Sequence, residues 1–341
     1  MLFRSLVIPT FLGITVMVFA ITRFVPGGPI EQAIQRTMLA ANESEGGRGS
    51  GGSSNNIDSQ PLGEAQLKQL KEYYGFDKPI LEAYFVWLGR MLRGDLGRST
   101  KYNDPVLKMI VSRIPISLRF GITSVLLTYL ISIPLGVKKA LKHRKGFDNV
   151  SSIAVFIGYA LPGYIVAIIL LSVFAVRLDW LPIGGLQSAN HAGMNPIMKL
   201  WDSVKHMILP MIAYIMGNFA VMTMVMKNNL MENMAADYIK TAVAKGRTFK
   251  DAMWKHAFRN SIIPIAAGLG GLITIFFSGS FLIENIFNIR GMGMLGYTSI
   301  VERDYPVVLG VTAITAFLSL VGNILSDLIL SLVDPRIRLG K

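Results

Sequence analysis

Residues 115–137 read PISLRFGITSVLLTYLISIPLGV, and the basic stretch KKALKHRK follows directly as residues 138–145. The first stretch is predominantly apolar and contains a single charged side chain, Arg119. An α-helix rises about 1.5 Å per residue, so about 20 apolar residues cross the roughly 30 Å hydrocarbon core of a bilayer. These residues therefore predict a transmembrane helix that ends at a polar interface rich in cations.

Five further runs of similar length and composition occur in the chain. In order, the six runs are Leu6 to Val25, Pro115 to Val137, Val150 to Val176, His206 to Met226, Ser261 to Ile283 and Pro306 to Val333. The chain of 341 residues is 52% hydrophobic and only 16% charged, whereas soluble domains have about 25% charged residues. The fold class predicted is an all-α membrane protein with six transmembrane helices. Pro134 and Pro162 lie inside two of the runs, so we expect kinks there.

The distribution of Lys and Arg predicts the orientation of the spans. Residues 138–148 contain five basic residues and one acid, and residues 227–260 contain seven basic and three acidic residues. Cytoplasmic loops carry an excess of Lys and Arg, so both segments should lie in the cytoplasm. Residues 177–205 and 285–305 carry few cations, and residues 26–114 are nearly balanced in charge, so these should face outward. Both termini are then cytoplasmic, and the net charge of +13 reflects topology and not nucleic-acid binding.

These boundaries divide the chain into four regions. They are the first transmembrane helix (1–25), an external, periplasmic segment (26–114), a five-helix core (115–333) and a cytoplasmic tail (334–341). Arg4 with the first apolar run also resembles a signal peptide, but the run exceeds the usual apolar length and no convincing cleavage site follows it. Residues 42–60 are rich in Gly, Ser and Asn, which predicts disorder.

Apolar spacing between residues 63 and 92 predicts two short outer helices joined by a turn at Gly75 to Pro79. Such a piece could cover the mouth of a pathway, bind a soluble partner or lie on the lipid surface. The pattern does not choose among these roles.

Motifs for catalysis or cofactor binding are scarce. The chain has no GxxxxGK[ST] loop and no cysteine, so it offers neither a phosphate-binding loop nor thiol chemistry. Residues 291–296 match GxGxxG, but they follow a membrane span without a preceding strand or a paired acid, so we interpret the match as chance. The four histidines lack metal-ligand spacing. We therefore expect no catalytic residue, no cofactor and no metal, and a membrane enzyme is an alternative without a candidate active site.

Three charged residues lie inside the spans or at their ends: Arg119, Glu284 and Asp327. Charges at such positions often belong to ion or proton pathways. A proton-coupled carrier would be expected to have more acids near the middle of the membrane. We therefore interpret the three residues as structural, with a role in a substrate pathway as the alternative.

The segment from Lys227 to Asn260, called the coupling loop below, has its own helical pattern. Residues 234–245 contain no helix breaker and predict a helix, and Gly246 should end it in the left-handed conformation. Small residues in such a helix allow a close approach to a groove on a partner. The alternative is a connector that lies on the membrane surface.

A second helix is predicted to follow in the coupling loop. Thr248 and Asp251 have the spacing of a capping box, which marks a helix start. Phe249, Met253 and Ala257 then recur every four residues, so we expect them to share one apolar face.

At these residues the chain resembles the permease subunits of ABC importers for dipeptides and oligopeptides, most closely the Yej-type branch. That family has the loop pattern Tyr-x-x-Thr-Ala-x-Ala-Lys-Gly, then His-x-x-Arg-Asn and a proline. The matching residues here are Tyr238, Thr241, Ala242, Ala244, Lys245, Gly246, His256, Arg259, Asn260 and Pro264. Further matches are PGGP at 26–29, YGFDKP at 74–79, RDYP at 303–306 and VDPRI at 333–337. Lys240 departs from the wider importer family, which has a glutamate near this position.

The resemblance implies a type I ABC importer permease fold with an external insertion between helices 1 and 2, in the bacterial inner membrane. It implies as partners a second homologous permease chain, two ATP-binding-cassette domains, a periplasmic peptide-binding protein, a peptide substrate and membrane lipid, and no nucleic acid. The implied ATPase-coupling residues are Asp237, Tyr238, Thr241, Ala242, Ala244, Lys245, Gly246, His256, Arg259 and Asn260.

Because the chain has a coupling loop but no nucleotide site, ATP hydrolysis is expected in a partner subunit and not in this chain. The second permease is expected to be a related chain, with a second copy of this one as the open alternative. A proton-coupled secondary peptide transporter is the alternative function. It would be expected to carry acids in the middle of the membrane and often inverted repeats, which we do not detect.

Overall fold

The computed structural model describes residues 9–17, 19–20, 78–267 and 279–333. Several sequence predictions therefore lie partly or wholly outside the described residues. They are the first apolar run, the expected disorder of 42–60, the earlier outer helix, much of the fifth run and the tail at 334–341.

Helices joined by short loops make up most of the described chain. In order they are α1 (Ile80–Leu92), α2 (Val106–Leu141), α3 (Gly146–Ala160), α4 (Gly163–Leu170), α5 (Pro196–Ala235), α6 (Asp237–Ala244), α7 (Phe249–Ala252), α8 (Phe258–Ser261), α9 (Ile263–Ala267), α10 (Phe281–Ile286), α11 (Met292–Val301) and α12 (Tyr305–Val333). Two π-helical stretches, Leu171–Arg177 and Met253–Ala257, continue α4 and α7. Residues 9–17 are also helical. The later outer helix predicted from sequence is thus present as α1.

Long apolar helices coincide with several of the predicted spans. Among the described residues, α2, α5 and the Tyr305–Ser326 part of α12 are each long and apolar enough to cross a membrane. α3 and α4 with its π-helical continuation meet the same criterion as a pair, bent by 99°. The described part of the chain therefore has three helices that are long and apolar enough to span a membrane, or four if the bent pair is one span.

Two of the helices are longer than their apolar runs. α2 begins at Val106 and not at 115, and α5 extends from Pro196 to Ala235 around the run at 206–226. At the start of α5 the Asn195 side chain accepts a hydrogen bond from the Met198 amide at 2.8 Å, and Pro196 occupies the first turn. Both features favour helix initiation. Helix boundaries here follow local capping and not the hydrocarbon length.

The two expected proline kinks differ in outcome. At Pro162 the preceding residue, Leu161, is extended (φ −90°, ψ 118°), and the helix breaks completely. A residue before proline disfavours the helical conformation, which explains the break. Pro134, by contrast, lies within the continuous helix α2.

The chain divides into two compact units. One comprises Met1–Ser5, Arg113–Leu295 and Phe317–Lys341, and the other comprises Leu6–Ser112 and Gly296–Ala316. The first unit contains the coupling loop and all the site residues predicted from the sequence.

The second unit has a small aromatic core. Phe19, Ala83 and Tyr84 are buried in it, and the Thr15 hydroxyl lies 3.0 Å from the Tyr84 hydroxyl. The Asp304 carboxylate accepts hydrogen bonds from the Ser99 hydroxyl and from the Thr100 amide. These contacts connect residues far apart in the sequence, so the unit has a tertiary core of its own.

Close packing between long helices organises the first unit. A Cβ atom at Gly136 in α2 would lie 2.6 Å from the Met226 Cβ and 2.8 Å from the Thr223 carbonyl oxygen of α5. A Cβ atom at Gly163 would lie 2.8 Å from the Ala213 carbonyl oxygen. Glycine thus allows the helix backbones to approach closely, as is common in membrane helix bundles.

Candidate coupling site

The first coupling-loop helix starts later than the sequence suggested. Met234 and Ala235 belong to α5, and Ala236 is extended (φ −68°, ψ 150°) before α6 begins at Asp237. The expected helix start at 234 is therefore wrong. The Tyr238 hydroxyl donates to the Asn233 side-chain oxygen at 2.6 Å across this break.

Gly246 ends α6 as the sequence predicted. Its φ is +87°, its amide donates to the Val243 carbonyl at 2.9 Å, and the Arg247 amide donates to the Ala242 carbonyl at 3.2 Å. These two bonds form a Schellman motif, in which glycine tolerates the left-handed conformation. A Cβ atom at Gly246 would meet nothing within 4 Å, so backbone conformation and not space requires glycine here.

The second helix begins at the predicted cap but does not have the predicted face. The Asp251 amide donates to the Thr248 hydroxyl at 3.2 Å, as in a capping box. Met253 and Ala257 are buried, whereas Phe249 is 52% exposed. Met253 and Ala257, on either end of the π-helical stretch, thus share a buried face, whereas Phe249 at the first residue of α7 does not.

Buried side chains attach both loop helices to the long helices. Ile239 is 2% and Met253 3% exposed, and they belong to one apolar cluster with Val137 of α2 and Met226 and Leu230 of α5. This cluster holds the coupling loop as a fixed part of the first unit. The loop is therefore packed directly against α2 and α5.

Most of the coupling residues predicted from sequence lie on the outer surface of the loop. Exposed are Asp237, Tyr238, Thr241, Ala244, Lys245, Gly246 and Arg259, and partly buried are Ala242, His256 and Asn260. The Lys240 ammonium donates to the Asp237 carboxylate at 2.8 Å, and this contact lowers the pKa of the Asp237 carboxyl. The surface thus presents small residues, one tyrosine and charges of both signs.

Three exposed apolar side chains of the coupling loop were not among the predicted coupling residues. Val243, Phe249 and Trp254 are 40%, 52% and 44% exposed. Their apolar character could have identified them from the sequence, because apolar side chains in a polar loop are candidates for contact with another molecule.

A buried charge cluster lies close to the coupling loop in sequence, and the sequence analysis missed it. The Lys227 ammonium donates to both oxygens of the Asp148 carboxylate at 2.8 Å, and the Lys139 ammonium lies 3.1 Å from the same carboxylate. Lys139 and Lys227 had been counted only as loop cations. Asp148 was visible as the lone acid in a basic segment, which is the signal that could have found the cluster.

Hydrogen bonds complete the environment of Lys139. Its ammonium donates to the Asp148 carbonyl at 3.0 Å, to the Ser151 hydroxyl at 3.0 Å and to the Ser152 hydroxyl at 2.7 Å. The Lys139 side chain is fully buried, so these bonds replace its water shell. The cluster joins α2, α3 and α5.

The Gly-x-Gly-x-x-Gly segment has a structural role. The Glu284 carboxylate is buried and accepts a hydrogen bond from the Met294 amide at 2.7 Å. Cβ atoms at Gly279 and Gly291 would lie 2.1 and 2.5 Å from the same carboxylate. Backbone amides at a helix start are hydrogen-bond donors without a partner in the helix, and here the Met294 amide donates to a side chain of the same chain. Glu284 thus has the kind of structural role that the sequence analysis favoured.

The structure says less about the roles of Arg119 and Asp327, the other two charged residues of the predicted spans. The Arg119 side chain is exposed, and its Nε donates to the Met207 sulfur at 3.0 Å. The Asp327 side chain lies outside the described part of the chain.

Two histidines that are distant from any motif meet at one acid. His191 Nδ1 lies 2.8 Å from the Asp202 carboxylate, and the Ser188 amide donates to it at 2.9 Å. His206 Nδ1 lies 2.8 Å from the Asp202 carbonyl oxygen. These bonds order the loop that precedes α5.

The fold and this surface define a helical membrane protein with a fixed, solvent-facing loop. The family described as "Binding-protein-dependent transport system inner membrane component" matches residues 132–339, and the chain belongs to this family. It is therefore the inner-membrane permease component of a transport system and not a catalytic subunit.

Characterised relatives are similar over nearly the whole chain. The inner membrane ABC transporter permease protein YejB of Escherichia coli O157:H7 is 39% identical, with 97% of this chain and 96% of the relative covered. The peptidoglycan transport system permease protein YejB of Agrobacterium fabrum is 38% identical (98% and 96% covered). The oligopeptide transport system permease protein AppB of Bacillus subtilis is 33% identical (97% and 96% covered).

Proposed function

We propose that this chain is the permease subunit of an ABC importer that takes up peptides or peptide-like molecules across the inner membrane. Full-length similarity to permeases named for ABC, oligopeptide and peptidoglycan transport supports the proposal. The observation that carries it is the coupling loop: the residues that match the importer pattern lie mainly on the exposed side of a loop whose inner side is anchored in the bundle.

The proposed topology follows the sequence analysis. Six spans place both termini in the cytoplasm and residues 26–114 outside, and the runs at 6–25 and 261–283 supply the remaining spans. Residues 115–333 form the five-helix core, with the coupling loop at 227–260. A second, related permease chain supplies the other half of the pathway, and a periplasmic binding protein delivers the peptide.

ATP hydrolysis takes place in partner subunits that contact the coupling loop. Closure of two ATPase domains around ATP moves α6 and α7, and the buried contacts of Ile239 and Met253 transmit the movement to α2 and α5. Such coupling requires that the partner binds the two states of the permease with different affinity. The exposed residues from Tyr238 to Lys245 are the proposed contact.

Replacement of Gly246 by leucine tests this proposal. The left-handed conformation costs a residue with a Cβ atom about 1–2 kcal/mol, and space around Gly246 is open. We expect Gly246→Leu to insert in the membrane normally but to lose ATPase attachment or ATP-dependent peptide uptake. Co-purification with the partner subunits and uptake in vesicles measure the two effects.

Gly94→Leu is the matched control, because Gly94 also has a positive φ (+82°) and open space but lies outside the loop. It should retain attachment and uptake. Gly246→Asn separates conformation from bulk, because asparagine tolerates the left-handed region. We expect it to retain most of the activity if the turn is what matters.

Two results would overturn the proposal. One is normal uptake and assembly by Gly246→Leu, and the other is uptake driven by a proton gradient without ATP. Competition between a linear oligopeptide and a peptidoglycan-derived peptide identifies the cargo. If neither molecule is transported, the assignment of a peptide cargo is refuted. The ABC mechanism is then still tested by the co-purification of Gly246→Leu with the ATPase subunits.

A further inference from the structure

An apolar groove lies between α2 and the coupling loop. Ile133, Val137 and Leu141 of α2 line one wall, and Trp254 and Phe258 line the other, around a cavity of about 300 Å³. The Trp254 and Phe258 rings are 5.0 Å apart. Trp254 is 44% and Leu141 45% exposed, so this apolar surface is open to the surroundings.

An apolar stripe extends from the groove along α2 and is exposed at Leu126, Leu130 and Leu141, whereas Val137 is buried. Leu126, Leu130, Ile133, Val137 and Leu141 follow one another at spacings of four, three, four and four residues, which keeps them on one face of a helix. Leu126 and Leu130 are 64% and 71% exposed. The helix rises about 16 Å between Leu130 and Leu141, which is close to the hydrocarbon depth of one bilayer leaflet, about 15 Å.

Cations lie at the end of this stripe. Lys138 lines the groove itself, and its ammonium lies 4.4 Å from the centroid of the Phe147 ring. The Lys142 ammonium lies 5.6 Å from the same centroid. The two lysines are four residues apart, so their side chains leave the helix on neighbouring positions, with Phe147 as a common support.

The acid nearest in sequence does not neutralise these cations. Asp148 is 3% exposed and binds the buried Lys139 and Lys227. Among the described residues, neither Lys138 nor Lys142 forms an ion pair. Both are exposed and remain available to an anion at the membrane surface.

We infer that this groove binds an anionic phospholipid, with an acyl chain against Val137, Leu141 and Trp254 and the phosphate on Lys138 and Lys142. The apolar lining matches a hydrocarbon chain, and the pair of ammonium groups matches the charge and position of the headgroup. Basic sites beside membrane helices select anionic headgroups by this chemistry. A zwitterionic lipid offers the same chains but a headgroup without net charge, so it binds more weakly.

The test is native mass spectrometry of the full-length protein in mild detergent, titrated with phosphatidylglycerol or with phosphatidylcholine of the same acyl chains. Phosphatidylglycerol should bind more tightly. The double variant Lys138→Gln/Lys142→Gln should lose about thirtyfold of this preference, since each cation near an anionic lipid contributes roughly fivefold. Arg144→Gln/Lys145→Gln removes the same charge from the same loop and should change the preference by less than about threefold.

The acyl chain is detected separately. Phosphatidylglycerol brominated on its chains should quench the fluorescence of Trp254, and the quenched fraction should fall in Trp254→Phe, which keeps the other three tryptophans. Equal binding of the two lipids overturns the inference, as does an equal loss in the two double variants. Quenching that vanishes when the partner subunits assemble would assign the groove to a protein neighbour and would also overturn it.

Discussion

Replacing Asp148 by asparagine removes the carboxylate that two buried lysines share. The carboxylate accepts two hydrogen bonds from Lys227 at 2.8 Å and lies 3.1 Å from the Lys139 ammonium. Its second oxygen also accepts from the Arg144 amide at 3.1 Å. Asparagine offers one carbonyl oxygen and an NH₂ group, and the NH₂ group would face lysine donors. The variant therefore leaves positive charge inside the helix bundle without compensation.

The magnitude follows from this geometry. Removing one partner of a buried ion pair costs about 3–5 kcal/mol. Lys139 keeps three neutral acceptors, the Asp148 carbonyl and the Ser151 and Ser152 hydroxyls, whereas Lys227 loses the carboxylate that binds it. We therefore expect a loss near the lower end, about 3 kcal/mol.

The assay is reversible unfolding of the purified chain in mixed micelles with increasing sodium dodecyl sulfate. Glu82→Gln is the matched control, because Glu82 pairs with Lys78 at an exposed i, i+4 position and such pairs contribute about 0.3–0.5 kcal/mol. Lys227→Met combined with Asp148→Asn should cost less than the two single changes together, since it removes the uncompensated charge. A loss in Asp148→Asn as small as that in Glu82→Gln would refute the assignment of a buried cluster.

Two further changes test packing in the first unit. Gly291→Ala should lower the free energy of unfolding by about 1–3 kcal/mol, because its Cβ would lie 2.5 Å from the Glu284 carboxylate. Gly193→Ala is the control, because a Cβ atom there would meet nothing within 4 Å. It should leave the thermal stability unchanged. Ile239→Ala should cost about 2–4 kcal/mol because Ile239 is 2% exposed. Val243→Ala on the exposed side of α6 should cost under about 0.5 kcal/mol. Equal unfolding midpoints for Ile239→Ala and Val243→Ala would contradict the anchoring of the coupling loop.

Local chemistry explains what the sequence predicted well. The apolar runs placed α2, α5 and α12, because membrane-spanning length is a property of consecutive residues. Gly246 and Thr248 were assigned correctly, because a helix end and a helix cap depend on residues within four positions. The start of α6 was wrong because nothing in the types of Met234 and Ala235 distinguishes the end of α5 from the start of another helix.

The features that the sequence analysis missed depend on contacts between residues that are far apart in the sequence. Lys227 and Asp148 are 79 residues apart, so no local pattern pairs them. Gly291, Gly293 and Gly296 matched a nucleotide-binding pattern by spacing alone, and only the fold shows that the Met294 amide binds the Glu284 carboxyl group. Phe249 was placed on a buried face by its spacing from Met253 alone, and spacing does not show that the first residue of α7 is exposed.

The buried cluster sets an order of events during synthesis of the chain on the ribosome. Lys139 and Asp148 are nine residues apart and emerge together, so they can pair as soon as both have left the ribosome. Lys227 follows 79 residues after Asp148, which at about 5–20 residues per second is a delay of roughly 4–16 seconds. Through that interval the α2–α3 hairpin holds a local, charge-balanced pair, and the arrival of α5 completes the three-helix junction.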